Sequence, residues 1–186
     1  MILPIYTYGQ PVLREESVPV GNDYPDLKRL VDDMFETMYK ADGIGLAAPQ
    51  IGQSIRLFVI DADALAKDHP ECKSFKRVMV NPEIVKSKEE VTSLEEGCLS
   101  FPGIHEKVAR FAGITVKYSD ENLTPHEETL EGFTARIVQH ECEHLAGRVF
   151  IDNISPIRKQ LNKGKLNNII KGTAKCSYRT KTVKKP

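Results

Sequence analysis

The stretch from Gln139 to Leu145 constrains this chain most, because it contains the pattern His-Glu-x-x-His. On an α-helix, residues four apart share a face, so His140 and His144 can direct two imidazole nitrogens at one metal ion. Glu141 lies about 100° around the helix from His140, where it can act as a base without being a ligand. The alternative is a pair of hydrogen-bonded core histidines, which would leave Glu141 near a buried region without a cation, at considerable cost.

The flanking residues favour a buried helix that carries ligands into a pocket. One face of the predicted helix carries Phe133, Ile137, His140 and His144, which follow one another at spacings of four, three and four residues. Gly147 follows the run and fits a left-handed helix C-cap.

A catalytic metal site needs at least one further protein ligand, because two histidines do not hold an ion alone. Cys98 is the best candidate, since Gly97 gives the backbone freedom to turn inwards. Cys142 lies within the helix motif but off the face of the histidines. A buried, inert thiol at Cys98 is the alternative. The stretch Glu95 to Pro102 is expected to interrupt a region of strands.

The helix and strand signals along the rest of the chain predict an α+β fold, in which antiparallel sheets pack around a central metal-binding helix. Apolar spacing predicts a helix from about Pro25 to Lys40. Strands are predicted at Ile55 to Ile60, at Val78 to Val80, and at Ile114 to Tyr118 followed by a turn and a return strand. The polar stretch Asp61 to Arg77 is predicted to be a surface insertion.

The small residues of the stretch Gly43 to Gln50 permit close approach of another group to the backbone. An ordinary turn after a helix is the alternative. Gln50 could offer an amide donor to a developing oxyanion.

Charge is distributed unevenly along these 186 residues, although Lys+Arg and Asp+Glu both total 26. The segment 155–186 is predicted to be a basic tail, partly an amphipathic helix and then extended. It contains ten basic and no acidic residues: Arg158, Lys159, Lys163, Lys165, Lys171, Lys175, Arg179, Lys181, Lys184 and Lys185. Such an arm suggests an anionic partner, with a solvated tail as the alternative.

The four cysteines are expected to be free thiols in a reducing cytosol, and the sequence offers no membrane span.

Together, three motifs resemble those of the peptide deformylase family. They are Gly-x-Gly-x-Ala-Ala-x-Gln at 43–50, Glu-Gly-Cys-x-Ser at 96–100, and Gln-His-Glu-Cys-Glu-His-Leu at 139–145, where the family pattern is Gln-His-Glu-x-Asp-His-Leu. The likeness extends over Ile2 to Ile154, including Gly9 to Arg14, and implies a catalytic domain over 1–154. It departs from the family at Glu143, where the family usually has Asp in a supporting position.

The resemblance implies a metal-dependent hydrolase that removes the formyl group from the N-terminal formyl-methionine of new polypeptides and releases formate. Water on the metal would attack the formyl carbon, with Glu141 as general acid/base. The roles it implies are Cys98, His140 and His144 as metal ligands, Gln50 and the Leu99 N–H as oxyanion donors, and Arg110 as support for the cysteine loop. As a hypothesis, Ile44, Phe133 and Ile137 line the methionine pocket, beside a narrow entry that includes Gly45.

Iron(II) is the native ion that the resemblance implies, and zinc, nickel or cobalt could occupy the same site. The partners of the protein would be formylated nascent peptides in the cytoplasm, and its basic tail could dock on ribosomal RNA.

Two rival classes share parts of this pattern. A metzincin-like peptidase would need a third histidine three residues after Gly147, where the chain has Phe150. A structural zinc module would need four protein ligands, and no second cysteine lies near Cys98.

Overall fold

The computed structural model describes residues 1–183, so Lys184 and Lys185 of the predicted tail lie outside the described residues. Residues 1–183 form three α-helices and nine strands. The helices are α1 (Leu27–Lys40), α2 (Gly132–Leu145) and α3 (Pro156–Ile170). The strands are β1 (Ile5–Tyr6), β2 (Gly45–Ala47), β3 (Leu57–Asp61), β4 (Lys76–Ser87), β5 (Val91–Gly97), β6 (His105–Phe111), β7 (Gly113–Ser119), β8 (Pro125–Glu131) and β9 (Thr180–Lys181).

The strands form three separate sheets within the described residues. The largest has the order β2-β3-β4-β7-β8, and every neighbouring pair in it is antiparallel. Strands β5 and β6 form an antiparallel hairpin, whereas the short pair of β1 and β9 is parallel. The predicted mixture of helices and antiparallel sheets is therefore confirmed, with β1 and β9 as the exception.

Two boundaries differ from the sequence prediction. Helix α1 begins at Leu27 rather than at Pro25, because Asp26 has a left-handed backbone conformation with φ of 52°. The stretch Glu95 to Pro102 does not interrupt the strands at its start, since Glu95 to Gly97 pair with β6 as the end of β5.

Helix α2 shares one buried apolar cluster with the five-stranded sheet. The cluster contains Ala135, Val138 and Leu145 of the helix together with Phe58, Met79 and Val116 of the strands. Cys72 and Phe75 belong to the same cluster and are almost fully buried. The stretch Asp61 to Arg77 is therefore not purely a surface insertion, because it contributes these two side chains to the core.

Helix α2 ends at the predicted glycine cap. Gly147 has φ of 66°, and its N–H donates to the His144 carbonyl at 3.2 Å. The Arg148 N–H donates to the Glu143 carbonyl at 2.9 Å. These two bonds are those of a Schellman motif, which satisfies the last carbonyls of the helix.

The C-terminal segment packs onto the rest of the chain. Ile169 is 1% exposed and joins an apolar cluster with Phe101 and Phe150, while Ile157 and Leu161 on the same helix are exposed. The predicted amphipathic face is therefore split between core and solvent. Among residues 1–183, no helix combines the length and apolarity that crossing a membrane requires.

Candidate active site

Three side chains from two distant segments converge in the pocket. The ligand atoms of Cys98, His140 and His144 all lie within 4.8 Å of one another. Cys98 follows the last residue of β5, and its Sγ lies 3.3 Å from Nε2 of His144. Both histidines project from α2 and are buried. Cys142 is not part of this cluster.

The donor set suits a divalent transition metal. Nδ1 of His140 is hydrogen-bonded to Glu96, which leaves Nε2 for an ion. One sulfur and two imidazole nitrogens are ligands that zinc and iron(II) accept, and three protein ligands are typical of a catalytic site. Oε2 of Glu141 is buried beside the histidines and has no hydrogen-bond partner among residues 1–183. These three residues therefore fit a divalent ion that keeps one coordination position open for water or substrate.

Glu96 orients His140 from the centre of a buried ionic network. Its carboxylate accepts hydrogen bonds from Arg110 Nε at 2.5 Å, Arg136 Nη1 at 2.7 Å and His140 Nδ1 at 3.0 Å. Burial disfavours the charged form, but the hydrogen bonds from His140 and Arg110 outweigh it and lower the pKa of Glu96 to about 2. Glu96 is therefore a permanent anion that fixes one ring of the candidate metal site.

Glu143 makes defined contacts although the family usually has Asp at this position. Its Oε2 accepts from Arg110 Nη2 at 3.1 Å, and its Oε1 accepts from Asn153 Nδ2 at 2.8 Å. Arg110 thus bridges Glu96 and Glu143, and joins the β5–β6 hairpin, whose connecting loop contains Cys98, to helix α2.

Glu141 lines the pocket and lies against Gly45 of β2. A Cβ on Gly45 would collide with Oε1 of Glu141, so a glycine is needed for this approach. Burial raises the pKa of Glu141 to about 7. A carboxyl group with this pKa can both accept and return a proton near neutral pH.

Gln50 and Leu99 both lie next to the cysteine, Gln50 by contact and Leu99 along the chain. Gln50 Nε2 is 3.4 Å from Sγ of Cys98 and donates to Ser100 Oγ at 3.2 Å. Its Oε1 accepts from the Ala47 N–H at 2.8 Å, which fixes the orientation of the amide. The Leu99 N–H makes no hydrogen bond within the described part of the chain, and it is free to bind an oxyanion.

A cavity of about 470 Å³ lies in front of the cluster. Its walls include all four predicted substrate-binding residues, which are Ile44, Gly45, Phe133 and Ile137. Gln50, Cys98, Leu99, His140 and Glu141 also line it. One further wall comes from the C-terminal residues Lys175 to Tyr178.

The start of helix α2 is held by the stretch that was predicted to be a surface insertion. Glu71 accepts a hydrogen bond from the Phe133 N–H at 2.8 Å, and this bond lowers the pKa of the carboxyl. The ring of His69 stacks on Phe133 with centroids 4.3 Å apart. Both contacts position a side chain that lines the pocket.

Sequence reasoning missed several of these supporting residues, although two of them left a signal. Glu96 lies two positions before Cys98, so an extended chain directs both side chains to one face. Arg136 lies four positions before His140, on one face of the helix. No local pattern linked Tyr178 to the pocket, because that contact spans 79 positions.

Known proteins are similar to this chain over most of its length. A model of the polypeptide deformylase family matches residues 2–160. A peptide deformylase of Christiangramia forsetii is 44% identical over 186 residues, covering 96% of this chain and 95% of the relative. A relative of that name from Flavobacterium psychrophilum is 43% identical, covering 100% and 99%. The crystal structure of a peptide deformylase from Legionella pneumophila is 41% identical with a TM-score of 0.82, covering 94% of this chain and 99% of that one. The chain therefore belongs to the polypeptide deformylase family, a family of hydrolases that remove N-terminal formyl groups.

Proposed function

We propose that this protein removes the formyl group from the N-terminal formyl-methionine of newly made polypeptides and releases formate. The observation that carries this proposal is the convergence of Cys98, His140 and His144 within 4.8 Å at a pocket that also contains Glu141. We place the activity in the cytoplasm, where polypeptides are made.

The chemistry divides between an ion and the side chains around it. When held by Cys98, His140 and His144, a divalent ion supplies Lewis acidity that lowers the pKa of water and polarises the formyl oxygen. Glu141 takes a proton from the attacking water while the oxygen of that water adds to the formyl carbon. The carbon–nitrogen bond then breaks, and Glu141 returns the proton to the departing amine. Iron(II) is our proposal for the native ion, with zinc, nickel and cobalt as replacements.

Oxyanion stabilisation is assigned to Gln50 Nε2 and to the Leu99 N–H. Both donors lie beside Cys98, so they flank the position where the formyl oxygen gains charge. The loss of one such donor typically costs about 10²–10³ in rate. The methionine side chain would occupy the apolar part of the cavity formed by Ile44, Phe133 and Ile137.

Formate release from a formyl-methionyl tripeptide tests this function. We expect Glu141→Gln to retain the metal but lose at least about 10²-fold in kcat, because the proton acceptor is gone. Cys98→Ala should lose the metal itself, as measured by elemental analysis. Cleavage of internal peptide bonds without release of formate would refute the proposal and favour a peptidase.

We also propose that the basic segment over 155–186 contacts the ribosome. Lys163 and Lys171 are exposed on or just after α3 and are not needed for the pocket. Lys163→Glu with Lys171→Glu should weaken co-sedimentation with ribosomes at low salt, whereas Lys86→Glu on β4 should not. Equal sedimentation of all variants would refute the contact. The division of the chain at residue 154 remains a prediction.

A further inference from the structure

The segment 174–181, which we name the C-terminal strap, runs across the edge of the pocket. Ala174 packs against the apolar cluster beneath α3, and Thr180 and Lys181 pair in parallel with Ile5 and Tyr6 of β1. The Ile5 N–H donates to the Arg179 carbonyl at 2.9 Å. Anchored at both ends, the strap has its middle residues 175–178 in the wall of the cavity.

Tyr178 of the strap is hydrogen-bonded to the cysteine loop, the segment 98–104 that connects β5 to β6. Its hydroxyl donates to the Leu99 carbonyl at 2.7 Å. The side chain is half-buried, and burial raises the pKa of the Tyr178 hydroxyl above its ordinary value. The hydroxyl is therefore protonated, and remains a donor, throughout the neutral pH range.

The other hydrogen bonds in this part of the loop are made by the neighbours of Leu99. Gln50 holds Cys98 and Ser100, the Tyr8 N–H donates to the Ser100 carbonyl at 2.9 Å, and Phe101 donates to the Cys98 carbonyl at 2.8 Å. Each of these contacts is to a neighbour of Leu99. The Leu99 N–H shares its peptide plane with the Cys98 carbonyl, which Phe101 holds, whereas the Leu99 carbonyl lies in the next peptide plane and is held by Tyr178. Loss of the Tyr178 bond would remove the second of these two restraints on Leu99, so that the direction of its N–H would be less well fixed.

We propose that the C-terminal strap is part of the active site and that Tyr178 is a positioning residue for the oxyanion donor at Leu99. This inference rests on the proposed deformylase activity. A donor that is already aimed at the developing charge costs no reorganisation during the reaction. Tyr178 therefore acts on the transition state and has little effect on how tightly the methionyl peptide binds.

The test compares two tyrosine variants in the full-length, metal-loaded protein. Tyr178→Phe removes the bond to Leu99, and Tyr39→Phe removes a hydroxyl that donates to Asp61 outside the pocket. For each, kcat and KM are measured with a formyl-methionyl tripeptide. The inhibition constant of the deformylated tripeptide and the thermal midpoint are measured as well.

We expect Tyr178→Phe to lower kcat about five- to tenfold, the effect of losing one neutral hydrogen bond, with KM and product inhibition within about twofold of the parent. Tyr39→Phe should match the parent in all four measurements. An unchanged kcat for Tyr178→Phe, or a fall that only follows the fraction of unfolded protein, would overturn the inference. If the parent protein itself releases no formate, the proposed function fails instead.

Discussion

Replacement of Glu96 by Gln tests whether the ionic network stabilises the fold and holds the candidate ligand His140 in place. The pKa of Glu96 falls from 4.5 to about 2, and at about 1.4 kcal/mol for each tenfold change in proton affinity this is worth roughly 3 kcal/mol. Removing one member of a buried ion pair typically costs about 3–5 kcal/mol, which agrees. We therefore expect Glu96→Gln to lose about 3 kcal/mol of unfolding free energy at pH 7.

The pH dependence of that loss follows from the direction of the shift. Because the folded pKa of Glu96 is lowered, its contribution is complete above about pH 4.5 and disappears as the pH falls towards 2. Urea denaturation at several pH values measures it, with Glu95→Gln as a matched control because Glu95 is exposed. Metal affinity should also fall about 10- to 100-fold, since Glu96 orients His140. A loss below about 1 kcal/mol, or one that is equal at pH 3 and pH 7, would refute the reasoning.

Three further substitutions probe separate features. Gly45→Ala should displace Glu141 and lower kcat by at least about tenfold while the thermal midpoint barely changes; an unchanged kcat would contradict this contact. Ile137→Thr should raise KM for formyl-methionyl peptides about tenfold, and an unchanged KM would remove it from the methionine pocket. Asp152 is paired with Arg14, and its pKa is lowered. Asp152→Asn should therefore cost up to about 1 kcal/mol above pH 4 and progressively less below it, as urea denaturation would show.

The sequence was most informative where spacing along one helix decides the geometry. His140 and His144 share a face because 3.6 residues make one helical turn, so their pairing required no knowledge of the rest of the fold. Cys98 is different, because its approach to His144 depends on how the β5–β6 hairpin packs on α2. The residues alone left Cys98 open between ligand and inert thiol, and the family motif was needed to choose.

Contacts between residues that are far apart in the sequence cannot be predicted from local sequence patterns. Only the family resemblance links Arg110 to the cysteine loop, and its second partner Glu143 lies 33 positions away. Nothing near Tyr178 indicates that its hydroxyl reaches Leu99. The stretch Asp61 to Arg77 looked solvent-exposed because it is mostly polar, although Glu71 within it holds the start of α2. In each case one specific contact, rather than periodicity, determines the outcome.

The C-terminal helix is also part of the electrostatics of the hairpin that carries the cysteine. Glu96 and Glu106 are directly opposite each other across β5 and β6, and both are buried. Like charges in this position repel, so each carboxylate needs its own cations. Glu96 has two arginines, whereas Glu106 accepts from Arg158 Nε at 2.7 Å and from Asn162, both on α3. Removing the chain after Ile154 would therefore take away both of these partners of Glu106 on the hairpin that carries Cys98. For this reason, ribosome binding is better tested with exposed lysines than by truncation.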